Sequence, residues 1–68
     1  MVDFYVKHIM DDVVSALYEK GYNPKAQIEA FIRLNNPMYI TKNKNAREKI
    51  QELTIEEIKE YLRQERTL

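Results

Sequence analysis

"EKGYNPKAQIEAF", Glu19 to Phe31, holds the only glycine of this 68-residue chain and one of its two prolines; the other follows in "LNNPMYI", Leu34 to Ile40. Nearly all the backbone punctuation falls in one short stretch, so its reading decides the fold. It is either a ligand-cradling loop or a set of helix ends. Phosphate-cradling loops need several glycines to bring backbone amides against the ligand, and one cannot do that. Helix ends account for each residue. Gly21 suits a C′ position, where a positive φ carries no Cβ penalty. Asn23 reads as an N-cap and Pro24 as the first helical residue, with no N–H to leave unpaired. Asn35 suits a left-handed C-cap, and Pro37 drives Asn36 out of the α region.

Helical periodicity continues on both sides. From about Asp3 to Lys20, Val6, Met10, Val13 and Leu17 recur at steps of three and four, and Phe4, Ile9, Val14 and Tyr18 widen the stripe. That width predicts burial on more than one side, including a share of a subunit contact. After Pro24, Ile28, Phe31 and Ile32 point inward, Ala26 and Ala30 permit close approach, and the helix stops near Leu34. Residues 35–44 form the only long connection. Asn45 with Glu48, and Thr54 with Glu57, repeat the spacing of a capping box. The first opens a short helix with Ala46, Ile50 and Leu53 inward, the second a helix with Ile55, Ile58, Tyr61 and Leu62 inward. The expected fold is all-α, a single domain over residues 1–68 built as a compact bundle of about four short helices.

Composition narrows the function. With 44% hydrophobic and 32% charged residues the chain is too apolar for disorder and too charged for a membrane span. No run approaches the roughly 20 apolar residues needed to cross a bilayer, and the N-terminus lacks a secretory pattern. Absence of cysteine removes disulfides, zinc–thiolate sites and thiol nucleophiles. A domain this small, without staples, commonly gains burial by self-association. A cytoplasmic oligomer is therefore expected, with no membrane insertion.

Candidate chemistry is sparse. His8 has Asp11 and Asp12 on its helical face, but three or four metal ligands are needed and no others are placed to join them. Ser15 has no second histidine or lysine placed to activate it. The chain therefore reads as no enzyme, with no cofactor. Its net charge is zero but unevenly spread. Residues 1–24 and 50–68 are acidic on balance, while 25–49 is basic, with Lys42, Lys44, Arg47 and Lys49 closely grouped. These four cations suit intramolecular or subunit pairing, an anionic partner, or less readily nucleic acid, whose binding domains are usually clearly basic overall. Met38, Tyr39 and Ile40 form an apolar trio inside the long connection, placed either to close over the core or to join a subunit interface.

"ALYEKGYNPKAQI" (Ala16 to Ile28), "NPMYI" (Asn36 to Ile40) and "NAREKI" (Asn45 to Ile50) together resemble the IreB family of small regulatory phosphoproteins, in order and with compatible spacing over about residues 9–62. Gly21, Tyr22, Asn23, Pro24, Gln27, Pro37, Tyr39, Ala46 and Arg47 carry the resemblance. It implies a cytosolic all-helical homodimer from a Gram-positive bacterium. Such proteins act with a membrane-anchored serine/threonine kinase bearing PASTA repeats, and a downstream protein, in cell-envelope stress and resistance to cell-wall antibiotics. The resemblance also implies a longer polar N-terminal tail bearing the phosphate-accepting threonines, whereas the first threonine here is Thr41. A short, divergent member is expected. Asn36, Thr41 and Asn45 stand where the family pattern has Asp, Pro and Asp. Thr41, beside Lys42, Lys44 and Arg47, is the leading phosphorylation candidate and Thr54 a weaker one, its hydroxyl being engaged as a cap.

Overall fold

The computed structural model describes residues 3–65. They form α1 (Phe4–Glu19), α2 (Pro24–Leu34), a 3-10 turn (Pro37–Tyr39), a second 3-10 turn (Asn43–Asn45), α3 (Ala46–Gln51) and α4 (Ile55–Gln64). The described residues contain no strand, as the helical periodicities require.

Most helix ends form as their residues dictate. Asp3 caps α1 by accepting from the Tyr5 N–H at 3.2 Å. At its other end the N–H of Gly21 donates to the carbonyl of Tyr18, and that of Tyr22 to the carbonyl of Leu17, both at 3.0 Å. This is a Schellman closure, with Gly21 at φ 81° in the left-handed region. Asn23 Oδ1 accepts from the Ala26 N–H at 3.0 Å to open α2, and Asn35 ends it at φ 51°, ψ 43°. Both arms of the Thr54–Glu57 capping box are present, at 2.8 and 3.1 Å.

The Asn45–Glu48 capping box does not form. Asn45 has φ 61°, ψ 23° and makes no side-chain cap bond, and Lys44 before it is also left-handed at φ 54°, ψ 30°. A capping side chain needs an extended backbone to reach the amide three residues on. The chain instead folds back over the start of α3, and the Thr41 carbonyl accepts the Arg47 N–H at 3.1 Å. The connection after α2 is thereby shaped, with Asn36 Oδ1 holding the first turn through the Met38 N–H at 3.0 Å.

Packing centres on α1, which lies against α2, α3, α4 and the second 3-10 turn. It contributes Val6, Ile9, Met10, Val13, Ala16 and Leu17 to one core with Ile28, Phe31, Ile40, Ala46, Ile50, Leu53, Ile58 and Tyr61. Ile55 and Leu62 pack against it, partly buried. The wide stripe of α1 reflects three helical neighbours within the same chain. Val13 is wholly enclosed within the chain. Phe4 and Tyr18, expected to widen the stripe, lie on the surface, 83% and 63% exposed, because α1 buries only the faces its neighbours cover. Ala26 is exposed rather than at a close approach, and Ala30 is half-buried.

Two substitutions test this packing by thermal unfolding. Gly21→Ala has open space for its methyl group but retains the positive φ, so a loss of about 1 kcal/mol is expected from backbone conformation alone. Val13→Asp places an unpartnered carboxylate in the core, and loss of the cooperative transition is expected. A folded Val13→Asp chain would show that the assigned core is wrong.

Candidate functional site

The connection from Asn35 to Asn45 is held in shape by side chains reaching it from the helices on either side. Gln27 of α2 donates through Nε2 to the carbonyl of Tyr39 at 2.9 Å. Arg47 of α3 donates through Nε to the carbonyl of Ile40, also at 2.9 Å. Two consecutive carbonyls beside the core are thus satisfied by two motif residues twenty positions apart in sequence. Between them Ile40 is fully buried and Tyr39 packs partly against the core, while Met38 stays 68% exposed. The apolar trio therefore divides, with Ile40 and Tyr39 closing the core and Met38 facing solvent. The third anchor is Asn43, whose Nδ2 donates to the carbonyl of Ala16 at 3.1 Å and to Glu19 Oε1 at 3.0 Å.

The basic segment is sorted by the same geometry. Lys44 pairs with Glu19, and Lys49 with Asp12 at 3.2 Å, so the acidic first helix neutralises two of the four cations. The Lys44 ammonium and the Asn43 amide together hold the Glu19 carboxyl below its ordinary value. Lys42 is exposed and Arg47 half-buried; neither forms an ion pair with a carboxylate of the described residues. Lys42, Asn45, Arg47 and Glu48 line one open cavity of about 230 Å³.

The two phosphorylation candidates are differently placed. Thr41 is half-buried and its Oγ1 accepts from the Asn43 N–H at 3.1 Å, so it forms part of the turn. Thr54 Oγ1 is occupied as the cap of α4. Among the remaining motif residues, Gly21, Asn23, Pro24 and Pro37 make helix ends, Ala46 is buried in the core, and Tyr22 gives its backbone to the Schellman closure. His8 is exposed, with Nε2 3.8 Å from Asp12 Oδ2, a carboxylate shared with Lys49. These residues build a surface and its supports.

That surface lies within a recognised sequence family. Residues 3–65 match the family described as the IreB regulatory phosphoprotein. The chain belongs to the IreB family. It is also similar to a UPF0297 protein of Lachnoclostridium phytofermentans, at 45% identity over 60 residues, which span 88% of this chain and 68% of that protein. IreB membership makes this a small regulatory protein, and no helix among the described residues is long and apolar enough to cross a membrane.

Sequence reasoning missed Asn43 as an anchor. It is one of several asparagines in a polar stretch, and no local pattern reports that its partner is a carbonyl 27 positions earlier. The role of Gln27 is equally silent in sequence because its acceptor is a backbone atom.

Glu19 supplies a pH test. Its folded value lies below the ordinary 4.5, so its contribution is complete above that value and lost as pH falls through the lower folded one. The thermal midpoint should fall as the pH drops below that ordinary value, and Glu19→Gln should flatten that part of the profile. An unchanged profile in Glu19→Gln would remove the Lys44–Asn43–Glu19 cluster as a stabilising group.

Proposed function

We propose that this chain is a non-enzymatic cytoplasmic regulator that works by protein–protein contact, as a helical homodimer, in the pathway of a membrane-anchored PASTA-type serine/threonine kinase governing cell-envelope stress and antibiotic resistance. The observation that carries the reading is the use to which the motif residues are put. Gln27 and Arg47 clamp a surface connection instead of assembling reactive groups, and a preshaped surface lowers the ordering cost of binding. Family membership as a regulatory phosphoprotein supports the same direction. Phe4, Tyr18, Leu34 and Met38 leave large apolar side chains in water on a small domain, which favours a subunit or partner contact over an isolated monomer.

In this reading Thr41 is the phosphate acceptor within the described residues. Its hydroxyl is engaged in the turn, so modification requires the 41–43 turn to open. Nucleic-acid binding is disfavoured, since Lys44 and Lys49 are committed to α1 and α3 is only six residues long.

The test is intact mass after incubation with the kinase domain of a PASTA-type kinase from the same genome, with sedimentation of the same sample. A dimer gaining one phosphate, lost in Thr41→Ala, is expected. A monomer that stays unmodified by a kinase active on another substrate would overturn the reading.

A further inference from the structure

The fold divides the four cations of residues 42–49 into two kinds. Lys44 and Lys49 are held by carboxylates of α1, whereas Lys42 and Arg47 meet, with Asn45 and Glu48, at the cavity of about 230 Å³. Arg47 is fixed there because its Nε is committed to the Ile40 carbonyl. Its two terminal amino groups have no acceptor among the described residues, so the end-on face of the guanidinium remains for a ligand. Asn45 makes no cap bond, leaving its amide without that task. Both Lys44 and Asn45 hold left-handed backbone without being glycine, and for Lys44 that conformation is kept only where surrounding contacts enforce it.

We infer that this recess takes the carboxylate side chain of an acidic segment of a protein partner. The inference rests on the reading of the chain as a protein that acts by contact, and names the partner chemistry. Two cations and one carboxylate leave a single positive charge, which a carboxylate balances and a dianionic phosphate exceeds, with Glu48 repelling the excess. The end-on guanidinium matches the two oxygens of a carboxylate, and Lys42 adds a point charge. Glu48 accepts a backbone N–H of the same segment, and the Asn45 amide serves its neighbouring peptide group. The neutral chain supplies no general attraction for anions, so binding is local to this recess.

The test follows the side-chain resonances of Arg47 Nε–H and the Asn45 amide in isotope-labelled full-length chain. The probes are a blocked glutamate-rich peptide, its glutamine counterpart, a phosphothreonine counterpart and inorganic phosphate. Saturable shifts with the glutamate peptide and none with the glutamine peptide are expected. Lys42→Glu, at an exposed position, should weaken binding at least tenfold. Lys59→Glu, the same charge change on α4, should stay within about twofold. No saturable shift, or equal weakening by Lys59→Glu, overturns the site. Binding tenfold tighter for the phosphothreonine peptide or for free phosphate overturns the carboxylate assignment. Peptide binding by a chain that the kinase leaves unmodified supports the recess while removing the kinase pathway, and modification without peptide binding removes the recess alone.

Discussion

The enclosure of α1 by three other helices is the constraint on which the other elements depend. Met10, Val13, Ala16 and Leu17 are fully buried within one short chain, so α2, α3 and α4 must all return to the same helix. The exposed side of α1 is then available to fasten them. Asp11 accepts from the Tyr61 hydroxyl of α4 at 2.9 Å, and burial followed by this carboxylate raises the phenol well above its ordinary value. Lys7 joins Asp11 to Glu65, Asp12 takes Lys49 of α3, and Glu19 takes Lys44 and Asn43. Single exposed pairs of this kind contribute little each. Their distribution along one helix sets which part of the chain lies over which turn.

Enclosing α1 obliges the connection after α2 to become part of the core. A small domain has too little regular structure to cover every side of a central helix, and here Ile40 of the connection is fully buried in the common core. Burying a connection brings its peptide groups with it, and each carbonyl beside the core needs a donor. Gln27 and Arg47 meet that need, and their geometry also fixes what the connection shows to solvent. Core closure and surface presentation are therefore one arrangement. Arg47 belongs to both, holding the Ile40 carbonyl through Nε and lining the outer cavity.

Helix ends are legible in this sequence because they depend on local chemistry. Gly21, Asn23, Pro24, Asn35 and Thr54 act within a few residues of themselves, and a glycine or proline leaves few alternatives. The inward residues are legible for the same reason, since the helical repeat brings Val6, Met10, Val13 and Leu17 to one face. Asn45 shows where local reasoning stops. Its spacing to Glu48 is that of a capping box, but the chain approaching α3 is bound by Asn43 to α1 and arrives left-handed. The tertiary contact overrides the local preference. The basic segment behaves likewise, since which of Lys42, Lys44, Arg47 and Lys49 remains available depends on the distant positions of Glu19 and Asp12. Chemistry that acts across the fold leaves no spacing to read.

The central claim is that the connection of residues 36–45 is a preformed, clamped surface. Amide hydrogen exchange in the full-length chain tests it most directly, at the Ile40 and Arg47 N–H groups that bond to the carbonyls of Pro37 and Thr41. Protection approaching that of Ile50 in the core of α3 is the predicted result, because the clamp should open only with the domain. Exchange at the rate of an unstructured chain at both positions, with Ile50 still protected, would contradict the claim and make the connection a flexible linker.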